Sequence, residues 1–99
     1  MEIKVTQEAN KKIFKLAGRL DSATAGELEE CFANELTADI KAIEVDVKDI
    51  DFISSKGLRL LVKARKDLGD GNVKITNPNN AVHEIFKISG LLKAFQIGE

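Results

Sequence analysis

Between Asp51 and Leu61 the chain changes its hydrophobic period, and this change limits the fold more than any other feature. Phe52 and Ile53 are apolar and β-prone, whereas Leu58, Leu61, Ala64 and Leu68 recur at helical spacing. Two adjacent serines, Ser54 and Ser55, mark the switch. The stretch therefore reads as the end of a strand, a tight turn and the first turns of an amphipathic helix. A serine at a helix start caps backbone N–H groups that have no intrahelical partner. The same place suits an anion, because those N–H groups and the helix dipole both favour negative charge. Ser55 is accordingly read in two compatible ways, as the N-cap and as a hydroxyl able to carry a phosphate.

The same reasoning extends along the chain. Ile3 and Val5, then Ile13, Phe14 and Leu16, form two short β-type segments joined by a polar turn over Gln7 to Lys12, an opening hairpin. Gly18 to Asp21 ends the second strand. Ser22 or Thr24 then caps a helix running to about Leu36, with Thr24-Ala-Gly-Glu27 in the capping-box pattern and Ala25, Leu28, Cys31, Phe32 and Leu36 on the buried face. Ile40 to Val47 alternates as a strand, Lys48 to Asp51 reads as a polar turn, and Ser55 to Leu68 as a helix stopped by Gly69. Asp70-Gly71-Asn72 is a turn before a strand at Val73 to Thr76. After Asn77-Pro-Asn-Asn80, Val82, Ile85 and Phe86 face inward on a third helix that stops at Gly90. Leu91 to Ile97 is expected as a short last strand. The order β-β-α-β-α-β-α-β predicts one α/β domain over residues 1–99, with a mixed, mostly parallel sheet of four to five strands and the helices packed mainly on one face.

Composition excludes several classes of function. Fifteen Lys and Arg against sixteen Asp and Glu leave no basic excess for nucleic acid, and without Trp or Tyr no stacking surface for bases is expected. No apolar run approaches a membrane span, and the N-terminus lacks a signal-peptide pattern, so direct membrane insertion is not expected. A single cysteine permits no internal disulfide and points to a cytoplasmic location. Cys31 reads as a small core residue and His83 as a solvated one. One Cys and one His cannot build a zinc site, and neither glycine-rich phosphate-loop pattern occurs. No catalytic residue, metal or cofactor is expected, and the chain is not read as an enzyme.

Three motifs carry a resemblance. Leu16-Ala-Gly-Arg-Leu-Asp21 followed by Thr24-Ala25 resembles the opening "L-x-G-x-L-D-x-x-T-A" of STAS domains, the sulphate-transporter and anti-sigma-factor-antagonist domains. Val45 to Leu58 resembles their central "D-h-x-x-h-x-F-h-D-S-S-G-L" motif, where h is apolar. Asn77-Pro78 and Ile88-Ser-Gly-Leu91 resemble a later element, so the likeness covers nearly the whole chain in order. In anti-sigma factor antagonists the first serine of the central motif is the phosphate acceptor, and alignment on Gly57-Leu58 puts Ser55 there. Asp21 would lie close to it, with Thr24, Ser54, Lys56, Gly57 and Arg59 surrounding the site. Two positions depart from the pattern: Ser54 stands in place of the Asp, and Lys56 in place of the second serine. The chain also stops at Glu99, short of a further helix that many relatives carry.

The resemblance implies an antagonist that binds an anti-sigma factor which is also a serine kinase, and so releases a sigma factor. Phosphorylation of Ser55 by that kinase would end the complex, and a phosphatase would reset it. The alternative is a STAS interaction subunit of another assembly, such as one bound to the cytosolic ATPase of a membrane transporter, in which Ser55 would only cap. A small enzyme or nucleotide binder is disfavoured by the missing motifs.

Overall fold

The computed structural model describes residues 1–98. Strands β1 (Glu2–Glu8), β2 (Lys11–Leu20), β3 (Ala42–Ile53) and β4 (Val73–Thr76) form one sheet, in that spatial order. Helices α1 (Ala25–Glu35), α2 (Ser55–Leu68) and α3 (Asn80–Ile88) follow β2, β3 and β4. The β1–β2 pair is antiparallel, and β2–β3 and β3–β4 are parallel. The expected mixed, mostly parallel sheet is thus present with four strands.

One face of the sheet carries Phe14 and Leu16 of β2, Ile43, Val45 and Val47 of β3, and Val73 and Ile75 of β4, all buried. Lys15, Glu44, Asp46 and Lys74 alternate with them on the other face. Helices α1 and α2 close the apolar face through Leu28, Phe32, Leu61 and Ala64. Phe14 meets Phe32 edge-on with ring centroids 4.9 Å apart. Phe86 of α3 meets Phe95 in the same manner at 5.6 Å.

Three expectations about the fold are corrected. The hairpin turn is only Ala9–Asn10, with Ala9 at φ 54°, because the polar residues on either side still pair across the ladder from Gln7↔Lys12 to Glu8↔Lys11. Lys48 to Asp51 is not a turn, because β3 runs unbroken through it. Two register shifts each insert one extra β3 residue, the first where Lys15↔Asp46 gives way to Ala17↔Asp49 and the second between Gly18↔Ile50 and Arg19↔Phe52. A bulge resets the alternation, so burial steps from Val47 to Ile50 to Ile53, and Lys48–Asp49 and Asp51–Phe52 fall outward.

The third correction concerns Leu91 to Ile97, which form tight helical turns and not a strand. Leu91, Leu92 and Phe95 follow helical spacing, and their carbonyls and amides bond locally, as in Phe95 N–H to Leu91 O at 3.3 Å. The segment still touches the sheet once, where Ile75 N–H donates to Phe95 O at 3.1 Å. Gly90 at φ 71° ends α3, with Leu91 N–H returning to Phe86 O at 2.9 Å and Gly90 N–H to Lys87 O at 3.0 Å. That bond pair is a Schellman stop, which needs the left-handed conformation glycine adopts without strain. Further corrections, at the starts of α1 and α2, belong to the site.

Candidate functional site

The carboxyl ends of β2 and β3 meet beside the start of α2. Ser54 N–H donates to Leu20 O at 2.8 Å, so Asp21 and Ser54 leave the sheet as neighbours. This is where open α/β sheets place functional groups, outside the strand ends.

Ser54, and not Ser55, caps α2. Its backbone is extended, with φ −80° and ψ 169°, and its Oγ accepts from Gly57 N–H at 3.2 Å while its carbonyl accepts from Leu58 N–H at 2.9 Å. The reading of Ser55 as cap is corrected by one residue. An N-cap must keep non-helical backbone, and the hydrogen bond to Leu20 holds Ser54 in the extended form. Ser55 is the first helical residue, is exposed, and its hydroxyl makes no hydrogen bond among the described residues.

The expected capping box at Thr24 and Glu27 is absent. Thr24 precedes α1, yet its hydroxyl turns back into the loop, donating to Arg19 O at 2.6 Å and accepting from Asp21 N–H at 3.0 Å. Asp21 instead holds the loop that leads into α1, which has no side-chain cap: its Oδ1 accepts from Ala23 N–H and Thr24 N–H, both at 3.0 Å. The Thr24 N–H bond, chiefly, then that of Ala23, holds the Asp21 carboxyl below the ordinary aspartate range against partial desolvation. Ser22, the other cap candidate, is exposed and not the residue bounding α1.

Gly57 is buried where α2 crosses the end of the sheet. A Cβ there would lie 2.8 Å from Leu20 Cγ, 2.9 Å from Leu20 O and 3.2 Å from Ile53 Cγ2. Lys56 and Arg59 are exposed and form no ion pair among the described residues. Both border a shallow groove with Ala25, Glu29, Leu60 and Lys63.

Two residues join this surface that the linear sequence did not single out. The Arg19 guanidinium stacks over the Phe52 ring at 4.8 Å, and its Nε lies 3.6 Å from Asp21 Oδ2. Phe52 is 37% exposed, which is enough to leave an aromatic face beside the serine turn. Only the second bulge brings the two into register, so spacing alone carried no signal for them.

The remaining candidates lie elsewhere. His83 is half-buried on α3 rather than fully solvated, with Nε2 2.6 Å from Gly98 O. Burial, chiefly, pushes the half-buried Cys31 thiol up, so little reactive thiolate forms. Among the described residues no cluster of three or more His, Cys, Asp or Glu could hold a metal, and no helix is long and apolar enough to cross a membrane.

Comparison with known proteins agrees with this geometry. A family model of the STAS domain matches residues 1–99. The Bordetella bronchiseptica protein named "Putative anti-sigma factor antagonist BtrV" is 32% identical over 84 residues, covering 83% of this chain and 72% of that protein. The structure of an anti-sigma factor antagonist from Mycobacterium paratuberculosis superposes with a TM-score of 0.85 at 22% identity, over 97% of this chain and 83% of that one. The phosphorylated form of SpoIIAA, a Bacillus cell-fate determinant, superposes with a TM-score of 0.74 at 16% identity, over 99% of this chain and 92% of that one. At these identities the two structures speak to the fold, and the family model speaks to descent: the chain belongs to the STAS domain family.

Proposed function

We propose that this chain is an anti-sigma factor antagonist, a binding protein with no catalytic group of its own. It binds an anti-sigma factor that is also a serine kinase and frees a sigma factor until Ser55 is phosphorylated. The name of the Bordetella relative and the titles of the solved structures support the general role, and one of those structures is of a phosphorylated form.

The observation that carries the switch is the division of labour between the two serines. Ser54 satisfies Gly57 N–H, so the exposed Ser55 hydroxyl has no structural duty. Its oxygen can attack the γ-phosphorus of ATP held by the kinase, with ADP leaving and the hydroxyl proton passing to the kinase's base. The product adds a charge of about −1.5 to −2 at pH 7. At the first turn of α2 that charge meets a helix N-terminus and the unpaired cations Lys56 and Arg59, so the fold accommodates it. Against a docked protein the same charge repels carboxylates and costs desolvation. Phosphorylation would thus act on association and leave the domain folded.

The test is to incubate the protein with its anti-sigma factor kinase and ATP and to map the product by mass spectrometry. Phosphate on Ser55, and none on Ser55→Ala, is expected, with Ser55→Ala still binding the kinase. Phosphate confined to Ser54 would overturn the assignment, and no phosphate at all would favour a STAS subunit of another assembly.

A further inference from the structure

The net charge of −1 hides a strong segregation. Helix α1 carries four glutamates, Glu27, Glu29, Glu30 and Glu35, and no cation, for a net −4. Helix α2 carries five cations, Lys56, Arg59, Lys63, Arg65 and Lys66, and the single anion Asp67, for a net +4. Only part of this arrangement helps its own helix: Glu27 stands in the first turn of α1, and Arg65 and Lys66 in the last turn of α2, where the dipole favours them. Glu27 and Glu30, Lys56 and Arg59, and Arg59 and Lys63 are like charges at spacings of three or four residues, which weaken an isolated helix. Lys56 also stands in the first turn, where a cation opposes the dipole.

Half of these ten charges find partners within the chain. Glu27 approaches the N-terminal amine at 3.8 Å, Glu35 pairs with Lys12 at 2.7 Å, Lys63 with Asp67 at 3.1 Å and Arg65 with Asp70 at 3.4 Å. Glu29, Glu30, Lys56, Arg59 and Lys66 have no ion-pair partner among the described residues. All five are exposed. The two helices lie side by side, with Glu29 of α1 and Lys56, Arg59 and Lys63 of α2 lining one groove between them. Each helix returns between parallel strands of the same sheet, so the two run in the same direction.

From this geometry we propose that the α1/α2 face is a self-complementary surface whose occupant is a second copy of this chain. A two-fold axis lying along the groove between parallel helices sets α1 of each copy over α2 of the other. Glu29 and Glu30 then face Lys56, Arg59 and Lys66 twice, so each acidic helix meets the cations its own chain leaves unpaired. The alternative axis, across the helices, would set like on like and is excluded by charge. Gly26 and Ala33 on the outer side of α1 are exposed and small, leaving room for the long cationic side chains of α2. Two helices of this length present a face on the order of 400 Å² per copy, from a helix diameter of about 10 Å. That is about 800 Å² in total, below the usual range for stable specific association and in keeping only with a transient complex. The dimer is therefore weak, fast-exchanging and sensitive to salt, because exposed charges a Debye length apart are screened.

Sedimentation equilibrium of the full chain tests this, from about 10 μM to 1 mM protein, at low and at high ionic strength. The weight-average mass is expected to rise from the monomer's 10.9 kDa toward twice that value at low salt, and to fall back at high salt. Two charge reversals make the test specific: Glu29→Lys with Glu30→Lys on α1, and Lys56→Glu with Arg59→Glu on α2. Each double variant alone should lose at least tenfold in self-association, and an equimolar mixture should recover a heterodimer. Circular dichroism should show both variants folded, since all four positions are exposed; Glu29→Gln with Glu30→Gln gives a milder variant that should also weaken association. A wild-type protein that stays monomeric at 1 mM and low salt would overturn the proposal. So would self-association that survives both reversals, or folded variants whose mixture does not pair. None of these outcomes depends on Ser55 phosphorylation.

Discussion

At the residue scale, the site turns on which of two adjacent serines faces the backbone. Ser54 Oγ accepts from Gly57 N–H, so Ser54→Ala should cost about 0.5–2 kcal/mol, the usual range for a lost cap. Ser55→Ala removes an exposed hydroxyl with no hydrogen bond, so urea denaturation should find it within about 0.5 kcal/mol of the parent. If Ser55→Ala proves the more damaging, the cap has been misassigned. Gly57 sets two effects against each other. Helix propensity alone would let Gly57→Ala gain up to about 1 kcal/mol. The added Cβ would sit 2.9 Å from Leu20 O, which cannot withdraw because it already accepts from Ser54 N–H at 2.8 Å. Overpacking of this kind costs about 1–3 kcal/mol, so crowding wins and the variant should melt earlier. A Gly57→Ala protein more stable than its parent would refute that balance.

At the element scale, the long periodic segments were legible and the places where tertiary contacts override local pattern were not. Helix α2 was readable from Ser55 to Leu68 because Leu58, Leu61, Ala64 and Leu68 keep one face apolar and Gly69 stops it. The continuity of β3 was not, because Lys48 to Asp51 look like a turn unless the two bulges opposite β2 are known. The start of α1 was misread for a related reason. Thr24 has the residue type of a cap, but Arg19 O draws its hydroxyl away, and Asp21 holds the loop instead. That substitution of roles has a pH signature. The Asp21 carboxyl titrates lower in the folded protein, chiefly through the Thr24 N–H. Its contribution is therefore present above the unfolded aspartate pKa, about 3.9, and is lost as pH falls through the lower folded value. Asp21→Asn keeps an oxygen acceptor but cannot titrate. Its stability should fall less steeply below about pH 4 than the parent's, as read by denaturant midpoints across the acid range. Parallel acid profiles would show that the carboxylate charge contributes nothing there.

At the scale of the whole molecule, the strand order puts the serine turn outside the core, where charge can change without disturbing packing. The resemblance implies that Asp21 lies close to Ser55, and the Ser54–Leu20 hydrogen bond sets Asp21 beside Ser54, whereas the Arg19–Phe52 stack required the register of β2 against β3. The same layout separates stability from association, and Ser55→Asp exploits the separation. A carboxylate in the first turn of α2 gains about 0.3–1 kcal/mol from the helix dipole at low salt, and Ser55 has no fold contact to lose. The denaturation midpoint should stay level or rise slightly. Affinity for the anti-sigma factor should fall by tenfold or more if that partner covers the turn, because the new charge would be desolvated against a docked surface. The loss should be smaller than that caused by a phosphate, which brings nearly twice the charge and three acceptor oxygens. Calorimetric titration of the parent, Ser55→Asp and phosphorylated proteins against the anti-sigma factor would give that order directly. Equal affinity for all three, with midpoints unchanged, would place the partner's footprint away from α2's first turn and leave Ser55 without a role in release.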